Sequence, residues 1–234
     1  MMKTVMNLYF LHAVPGLDLG LIEIPAVVIT SWLLMSILAI FCLVLTSNLQ
    51  IEAKNKRQVL AETIVLGLLN FLTSIFGEEK RARRYFPLLA SFFIFIVMCN
   101  LSGLIPMVGI LPGLQSPTTS VSVTLGLALV SFGSMIFYGI RTKGVRGYLK
   151  EMIEPSILML PLNILDEIVK PLSLTLRLYG SVFADEMILV TITQLFPYIA
   201  PVPFYFLALF FGTLQAGIFA ILSAIYLSHA VSHE

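Results

Sequence analysis

Long stretches of this chain without charged side chains alternate with short segments in which the charges are concentrated. No Asp, Glu, Lys or Arg occurs within 24–51, 85–140 or 187–233. A helix that crosses a lipid bilayer needs about 20 mainly apolar residues. The uncharged stretches therefore predict four crossing helices, at 25–46, 87–108, 119–140 and 203–229, with "MVGILPGLQSPTT" as a turn between the middle two.

The remaining apolar segment, 155–196, differs from these four because it is long and carries six charges. As one straight helix it would be roughly 63 Å long, about twice the ~30 Å thickness of a hydrocarbon core. Two alternatives follow. Either the helix breaks, at Pro161 or Pro171, or it is tilted far from the membrane normal.

Segment 58–76 is apolar but short between its flanking charges, and it contains Glu62. Both flanks carry basic residues and belong on the same side of the membrane. The sequence therefore predicts an amphipathic helix along the cytoplasmic surface. The alternative is a loosely packed cytoplasmic helix.

Composition supports a membrane protein. Hydrophobic residues make up 58% of the chain and charged residues 12%, about half the charged fraction of a soluble domain. The mean hydropathy is +0.97. The predicted fold is an all-α integral membrane protein, a single membrane domain over 1–234, with five crossing helices and one surface helix.

The distribution of basic residues predicts the orientation. Segment 52–84 carries seven basic residues and segment 141–150 carries four, whereas the other side has only Lys3. Because cytoplasmic loops are enriched in Lys and Arg, we expect the N-terminus outside and the C-terminus in the cytoplasm. The short apolar run that ends at His12 lacks a convincing cleavage site, so it is expected to belong to the mature chain.

Several classes of site are not indicated by the sequence. Cys42 and Cys99 both lie in apolar runs, which predicts two buried thiols and neither a disulfide framework nor a metal spacing. No phosphate-binding loop, nucleophile elbow or metal-ligand cluster occurs. We expect no cofactor, no metal, no nucleic-acid partner and no site for ATP chemistry in this chain.

The six charges of segment 155–196 are the candidate functional residues, because an ionisable side chain inside a bilayer is costly and marks a function. They form two acidic groups with Arg177 between them. At about 100° per residue, Glu186 lies on the opposite helix face from Arg177. Asp185 and Glu186 follow Arg177 by eight and nine residues, roughly 12–13 Å along the axis. Pairing within the helix is therefore not expected. The six are Asp166, Glu167, Lys170, Arg177, Asp185 and Glu186.

An arginine cannot release its proton at ordinary pH, so it cannot relay one. It repels a passing cation and attracts a carboxylate on a partner. This pattern suits two aqueous half-channels separated by an electrostatic barrier. The alternative is a buried ion-pair network. However, the other predicted crossing helices contain no Asp or Glu, so the partner of Arg177 is a carboxylate of its own segment, water or another protein.

The last helix carries small residues at every fourth position, which predicts close approach of another helix: Gly212, Ala216, Ala220 and Ala224. Gln215 is its one strongly polar residue. It either forms an interhelical hydrogen bond or faces the carboxylates of 155–196 and lines the outer cavity. Asn100 is interpreted as a structural polar residue, and His229 and His233 as solvated.

"PLSLTLRLYGSVFADEMILV" at 171–190, followed by "GTLQAGIFAILSAIYLSHAVSHE" at 212–234, resembles subunit a of bacterial F-type ATP synthases. "NLSGLIP" and "SPTTSVSVTLGLAL" resemble the middle hairpin of that family. The resemblance covers roughly 80–234.

The resemblance implies a membrane stator against which a ring of c subunits turns, with the last two long helices steeply tilted along the ring. Arg177 matches the essential arginine, which faces the ring carboxylate and keeps the half-channels apart. Glu186 matches the acidic or polar position of the outer half-channel, and Gln215 the glutamine of the last helix. Glu167, beside Asp166, lies near an acidic position on the cytoplasmic side.

This sequence departs from the family at three positions. Ser181 stands where many members have Asn, and Asp185 where many have Gly. Some bacterial members carry a His seven residues before the glutamine, where this chain has Ala208. The missing His and the additional acid are related changes if Asp185 replaces that His as the polar side chain of the outer path.

The implied partners are the c ring, the b subunits of the peripheral stalk, the lipid bilayer and the translocated H⁺ or Na⁺. The implied location is the bacterial plasma membrane, with several crossings. The alternative function is a self-contained secondary transporter with a carboxylate–arginine site. Such folds often contain two related halves, and the sequence contains no internal repeat.

Overall fold

A computed structural model describes residues 17–18, 23–24, 26–46, 56–104, 116–153, 160–196 and 199–231. Its helices are α1 (Ala26–Thr46), α2 (Lys56–Phe76), α3 (Glu79–Gly103), α4 (Val121–Ile153), α5 (Leu160–Leu195) and α6 (Pro201–Val231), with a 3₁₀ turn, η1 (Pro117–Thr119), before α4. Two-residue strands, β1 (Leu17–Asp18) and β2 (Glu23–Ile24), pair antiparallel before α1. Apart from this short ladder the described residues are helical, as predicted.

Three helices are long and apolar enough to cross a bilayer: α3, the Val121–Tyr148 part of α4, and α6. The continuous apolar stretch in α1, Val27–Ile40, is shorter, and α5 contains the six charges. Three of the five predicted crossings therefore meet the criteria of length and composition. The crossings by α1 and α5 stay predictions.

Helix α5 is continuous from Leu160 to Leu195, so the first of the two alternatives, a break at Pro161 or Pro171, does not occur. Pro161 lies in the first turn, where a missing N–H costs little, and Pro171 lies inside the helix. The 36 residues of α5 extend over about 54 Å, still longer than a hydrocarbon core. Residues 155–159 of the predicted segment lie outside the described residues.

Helix α4 is longer than the predicted 119–140 because its basic end remains helical beyond a kink at Gly144. Gly144 has a φ of 74°, which glycine adopts without strain. After the kink, Tyr148 packs over Gly139, where a Cβ would lie 3.0 Å from the tyrosine ring.

Helices α2 and α3 form an antiparallel hairpin, and Gly77, with a φ of 69°, makes the tight turn. The first turns of α3 contain the charges that precede the predicted start at 87. Buried side chains of α2 pack with α3 and the end of α6: Leu69, Leu72, Phe76, Tyr85, Leu89, Ala224 and Leu227. Helix α2 is therefore firmly packed and not loosely attached.

A second apolar cluster joins α3, α4, α5 and α6. It contains Phe92, Ile96, Ala128, Leu174, Leu178, Val182, Ala216 and Phe219. The predicted close approach along α6 is confirmed, because its four small residues are buried and a Cβ at Gly212 would lie only 3.3 Å from the Asn100 side chain.

Several predictions for the chain ends and connections concern residues that the structure does not describe. Lys3 and His12 near the N-terminus, His233, and 105–108 of the second predicted span lie outside the described residues. His229 is exposed in the last turn of α6, in agreement with a solvated side chain.

Candidate functional site

Arg177 is exposed in the middle of α5. Three ion pairs join described side chains: Arg81–Glu78, Arg83–Glu79 and Lys170–Glu167. Arg177 takes part in none of them. It does not belong to a buried ion-pair network in the part of the chain that the structure describes.

Small residues surround Arg177 on the same face of α5. Ser173, Gly180 and Ala184 lie four residues before it and three and seven residues after it, and helical geometry brings these positions together. Arg177 itself is exposed, whereas Leu174, Leu178 and Val182 of the same helix are buried. The guanidinium therefore points away from the body of the protein.

Ser181 lies one turn after Arg177, but its hydroxyl is engaged by its own helix. It donates to the main-chain oxygens of Arg177, at 3.0 Å, and Leu178, at 3.1 Å. Such bonds to the preceding turn are common for serine in helices. Ser181 acts on the backbone of Arg177 and not on its guanidinium.

Asp185 and Glu186 are both half-buried in α5. The Glu186 carboxyl group faces the Thr119 side chain in η1, whose hydroxyl donates to the Ser116 carbonyl oxygen. Because nine residues of a continuous helix correspond to about 900° of rotation, Glu186 lies on the opposite face of α5 from Arg177, as the sequence predicts.

A chain of polar side chains fixes η1 between α3 and α6. Asn100 Nδ2 donates to the Gly212 carbonyl oxygen at 2.8 Å, and Thr118 Oγ1 donates to Asn100 Oδ1 at 2.9 Å. The Ser116 and Thr118 hydroxyls lie 2.9 Å apart, and Thr119 Oγ1 donates to the Ser116 carbonyl oxygen at 2.7 Å. Asn100 thus ties the turn that carries Thr119 to two helices.

The hydroxyl-bearing residues of this network were not predicted from the sequence. The stretch "SPTT" was expected only to form a turn, and Asn100 to have a structural role. The available signal was the run of four hydroxyl side chains, Ser116 and Thr118–Ser120, directly before an apolar helix. Four hydroxyl groups within five residues, close to the half-buried Glu186, indicate a polar surface as well as a turn.

Gln215 is buried in α6, beside Ala216 of the second apolar cluster. Its Nε2 has no hydrogen-bond partner among the described residues. Two contacts were predicted for Gln215: an interhelical hydrogen bond, or a bond to the carboxylates of α5. The amide nitrogen forms neither of them. A buried amide donor without an acceptor costs about 1–3 kcal/mol.

The acidic pair near the start of α5 is placed differently from the pair near its end. Lys170 Nζ lies 2.8 Å from Glu167 Oε1 and 5.8 Å from the centre of the Tyr226 ring in α6. Glu167 Oε2 is buried without a partner in the described structure, whereas Asp166 is exposed. The charges of α5 therefore occupy three separate levels, with Arg177 alone at the middle one.

Comparison with known proteins gives the family. The profile of the family described as ATP synthase A chain matches residues 28–228. The chain belongs to the ATP synthase subunit a family. It is 37% identical over 213 residues to ATP synthase subunit a 2 of Bradyrhizobium sp. (strain BTAi1 / ATCC BAA-1182), covering 91% of this chain and 92% of that protein.

Two further relatives are similar over comparable lengths. ATP synthase subunit a of Moorella thermoacetica is 35% identical over 91% of this chain and 94% of its own. ATP synthase subunit a 1 of Hahella chejuensis is 35% identical over 92% of this chain and 88% of its own. The resemblance inferred from the sequence is therefore confirmed, and the chain is a non-catalytic, membrane-spanning subunit of F-type ATP synthase.

In this subunit a, the position where some bacterial members carry His is the buried Ala208 of α6. No group of three or more His, Cys, Asp or Glu side chains could hold a metal within the described ranges. The prediction of two buried thiols holds for Cys99 but is wrong for Cys42. Cys42 is exposed because it lies on a side of α1 that no described residue covers, where lipid suits a thiol as well as a core does.

Proposed function

We propose that this subunit a provides two offset aqueous half-channels that carry protons, or sodium ions, to and from a c ring, with Arg177 as the barrier between them. The observation that carries the proposal is the exposed guanidinium at the middle level of α5, which forms no ion pair with any residue that the structure describes. A permanent cation that pairs with no carboxylate among the described residues is costly in a membrane. A carboxylate on another subunit removes this cost.

The face of α5 around Arg177 suits a helix of the c ring. Val169, Leu172 and Leu176 are exposed apolar side chains on the segment before the arginine, and Gly180 and Ala184 follow it. Small residues let a second helix approach closely. A carboxylate on that helix then comes within reach of the Arg177 guanidinium. A self-contained transporter would enclose its arginine in a substrate site, whereas this one is exposed.

Glu186, Asp185 and Gln215 line the outer half-channel in this proposal. The hydroxyl groups of η1 extend the polar surface from Glu186 towards Asn100. The unpartnered Nε2 of Gln215 can donate to channel water or to a passing carboxyl group. Some family members have a His at the position of Ala208. In this chain Asp185 takes the place of that His as a polar side chain of the half-channel.

Asp166 and Glu167 lie at the cytoplasmic half-channel. The unpartnered Oε2 of Glu167 is available to accept an ion or its water, while Lys170 holds the other carboxylate oxygen. Arg177 separates this level from that of Glu186, so an ion reaches the other side only on the rotating ring.

The remaining features of the proposal concern assembly. Five helices cross the bacterial plasma membrane, with the N-terminus outside and the C-terminus in the cytoplasm, and α2 lies at the cytoplasmic surface. Helices α5 and α6 are steeply tilted along the ring. The b subunits of the peripheral stalk hold subunit a against the rotor.

The test replaces Arg177 with Ala in the assembled complex and measures ATP-driven ion pumping and passive ion flux across vesicles. We expect coupled pumping to be lost while assembly is retained. The matched control is Arg141→Ala, which should pump normally, because Arg141 is an exposed arginine three residues before the kink in α4. Wild-type pumping by Arg177→Ala would refute the barrier. Arg177→Lys keeps the charge without the planar fork and should retain more of the barrier to passive flux.

A further inference from the structure

A cavity of about 170 Å³ lies between α2, α3 and α6. Its walls include Phe71 and Leu72 of α2, Leu89 and Phe93 of α3, and Gly217 and Ala220 of α6. None of the residues that line it carries a polar side chain. The site is separate from Arg177, Glu186 and Glu167, none of which lines it.

The size and chemistry of the cavity restrict what can occupy it. A buried water needs two to four polar partners, whereas an apolar cavity of about 150 Å³ takes up a hydrocarbon such as benzene. The space therefore suits about six carbon atoms of a hydrocarbon. It is far too narrow for a helix, which is about 10–12 Å across.

The depth of the cavity matches one leaflet of a bilayer. Arg84 is the last charged residue at the start of α3, and Leu89 and Phe93 follow it by five and nine residues. These separations correspond to about 8 and 14 Å along the helix. Half of a ~30 Å hydrocarbon core is ~15 Å, so the cavity lies among the acyl tails of the leaflet that borders the α2–α3 turn.

The charges at that turn favour an anionic headgroup. Arg81 pairs with Glu78 at 2.9 Å, and Arg83 pairs with Glu79 at 2.7 Å. Two further cations in the same turns, Lys80 and Arg84, form no ion pair with any described residue. Clusters of basic side chains at the membrane surface attract anionic lipids.

We propose that this cavity binds an acyl tail of an anionic phospholipid whose headgroup lies at the charged α2–α3 turn. The lipid fills the gap between three helices and so completes their packing. This inference is independent of the half-channel mechanism, since it needs only that α3 and α6 cross the membrane and that the apolar face of α2 lines the cavity from the cytoplasmic side.

The test uses the whole ATP synthase in nanodiscs of phosphatidylglycerol and determines the cavity density by electron cryomicroscopy. We expect elongated tail density between Phe93 and Gly217. An empty cavity, or a cavity filled by a side chain of another subunit, would overturn the proposal.

Gly217→Leu is the filling variant, because a Cβ at Gly217 meets only Phe93, at 4.0 Å, and the rest of the side chain enters the cavity. Gly133→Leu is its matched control, since a Cβ there has no neighbour within 4 Å and Gly133 does not line the cavity. Native mass spectrometry of delipidated complex should show one phospholipid fewer for Gly217→Leu and no change for Gly133→Leu. Equal lipid counts in all three would contradict binding.

The headgroup is tested with the double variant Lys80→Gln, Arg84→Gln. We expect it to lose the preference for phosphatidylglycerol over phosphatidylcholine while still holding a tail in the cavity. An unchanged preference would show that the charged turn does not select the lipid, and would overturn the anionic part of the proposal.

Discussion

Arg177 and Glu186 lie on opposite faces of one continuous helix, the arginine facing outward and the glutamate facing η1. Nine residues separate them by about 13–14 Å along the axis, so neither neutralises the other. The fixed cation stays available to a partner on the outer face, and the carboxyl group stays available to polar groups inside the subunit. One helix thus presents two opposite charges to two different environments.

The Glu186–Thr119 contact predicts graded effects on ion pumping. Glu186→Gln keeps the shape but cannot exchange a proton as a carboxyl group does, and we expect ATP-driven pumping to fall by more than about tenfold, or ~1.4 kcal/mol of barrier. Thr119→Val removes one hydrogen-bonding group, worth ~0.5–1.5 kcal/mol, and should reduce pumping about two- to tenfold. The measurement is acidification of vesicles followed with a pH-sensitive dye.

The control for these variants is Thr142→Val. Thr142 is an exposed threonine of α4 whose hydroxyl donates to the Tyr138 carbonyl oxygen at 2.8 Å, far from any acid of α5 in sequence. Its pumping should equal that of the wild type. Equal losses in Thr119→Val and Thr142→Val would remove the case for a specific role of Thr119.

Asn100 and Gly212 are predicted to be energetically coupled. Asn100→Ala removes the hydrogen bonds that join Asn100 to the Thr118 hydroxyl and to the Gly212 carbonyl oxygen, and we expect a loss of about 0.5–1.5 kcal/mol for each bond. Gly212→Ala places a methyl group 3.3 Å from the Asn100 side chain and should cost about 1–3 kcal/mol through overpacking.

The thermal stability of the assembled complex provides the measurement. Because Asn100→Ala removes the side chain that Gly212→Ala would clash with, the double variant should lose less stability than the two single losses added together. Strict additivity would show that the two residues do not press against each other.

Ser131 of α4 and Ser223 of α6 form a buried hydroxyl pair at 2.9 Å. Each single Ser→Ala change leaves one buried hydroxyl unpaired and should lower stability by about 1 kcal/mol. The double change removes both polar groups and should be no worse than either single one. Ser134→Ala is the control, since Ser134 bonds only to the Val130 carbonyl oxygen of its own helix, and it should stay within about 0.5 kcal/mol of the wild type.

The kink in α4 predicts opposite outcomes for two glycine-to-alanine changes. Gly144 has a φ of 74°, which costs an alanine about 1–2 kcal/mol, so Gly144→Ala should destabilise the subunit. Gly126 lies in the same helix with space around its Cα, and alanine there should stabilise by up to about 1 kcal/mol. Thermal unfolding of the complex distinguishes them, and equal shifts would contradict the kink.

Sequence reasoning found the helices because uncharged stretches are long and membrane spans obey a simple length rule. It also placed Glu186 opposite Arg177, which follows from helical periodicity alone. It could not decide whether Pro171 breaks α5, since a proline is tolerated when packing on neighbouring helices holds the chain straight. It also could not find the Asn100–Thr118 bond, because that contact depends on how α3 and η1 meet in three dimensions.

The ends of the helices were harder to predict than their existence. Charges were taken to end α4 at 140 and to delay α3 until 87, but both helices continue through them. A charged turn at a membrane surface is solvated, so it can stay helical at little cost. Charge therefore locates the edge of the bilayer more closely than the end of a helix.

Pro171 gives α5 a mechanical property that its sequence of charges does not suggest. The proline has no N–H to donate to the Glu167 carbonyl oxygen, so the helical ladder lacks one bond between the lower acids and the arginine. A sideways force on Arg177 from a turning rotor would bend α5 at Pro171, where the helix is most easily deformed. The segment from Arg177 to Glu186 would move as one stiff unit, while Asp166 and Glu167, in the part of α5 before Pro171, would keep their positions.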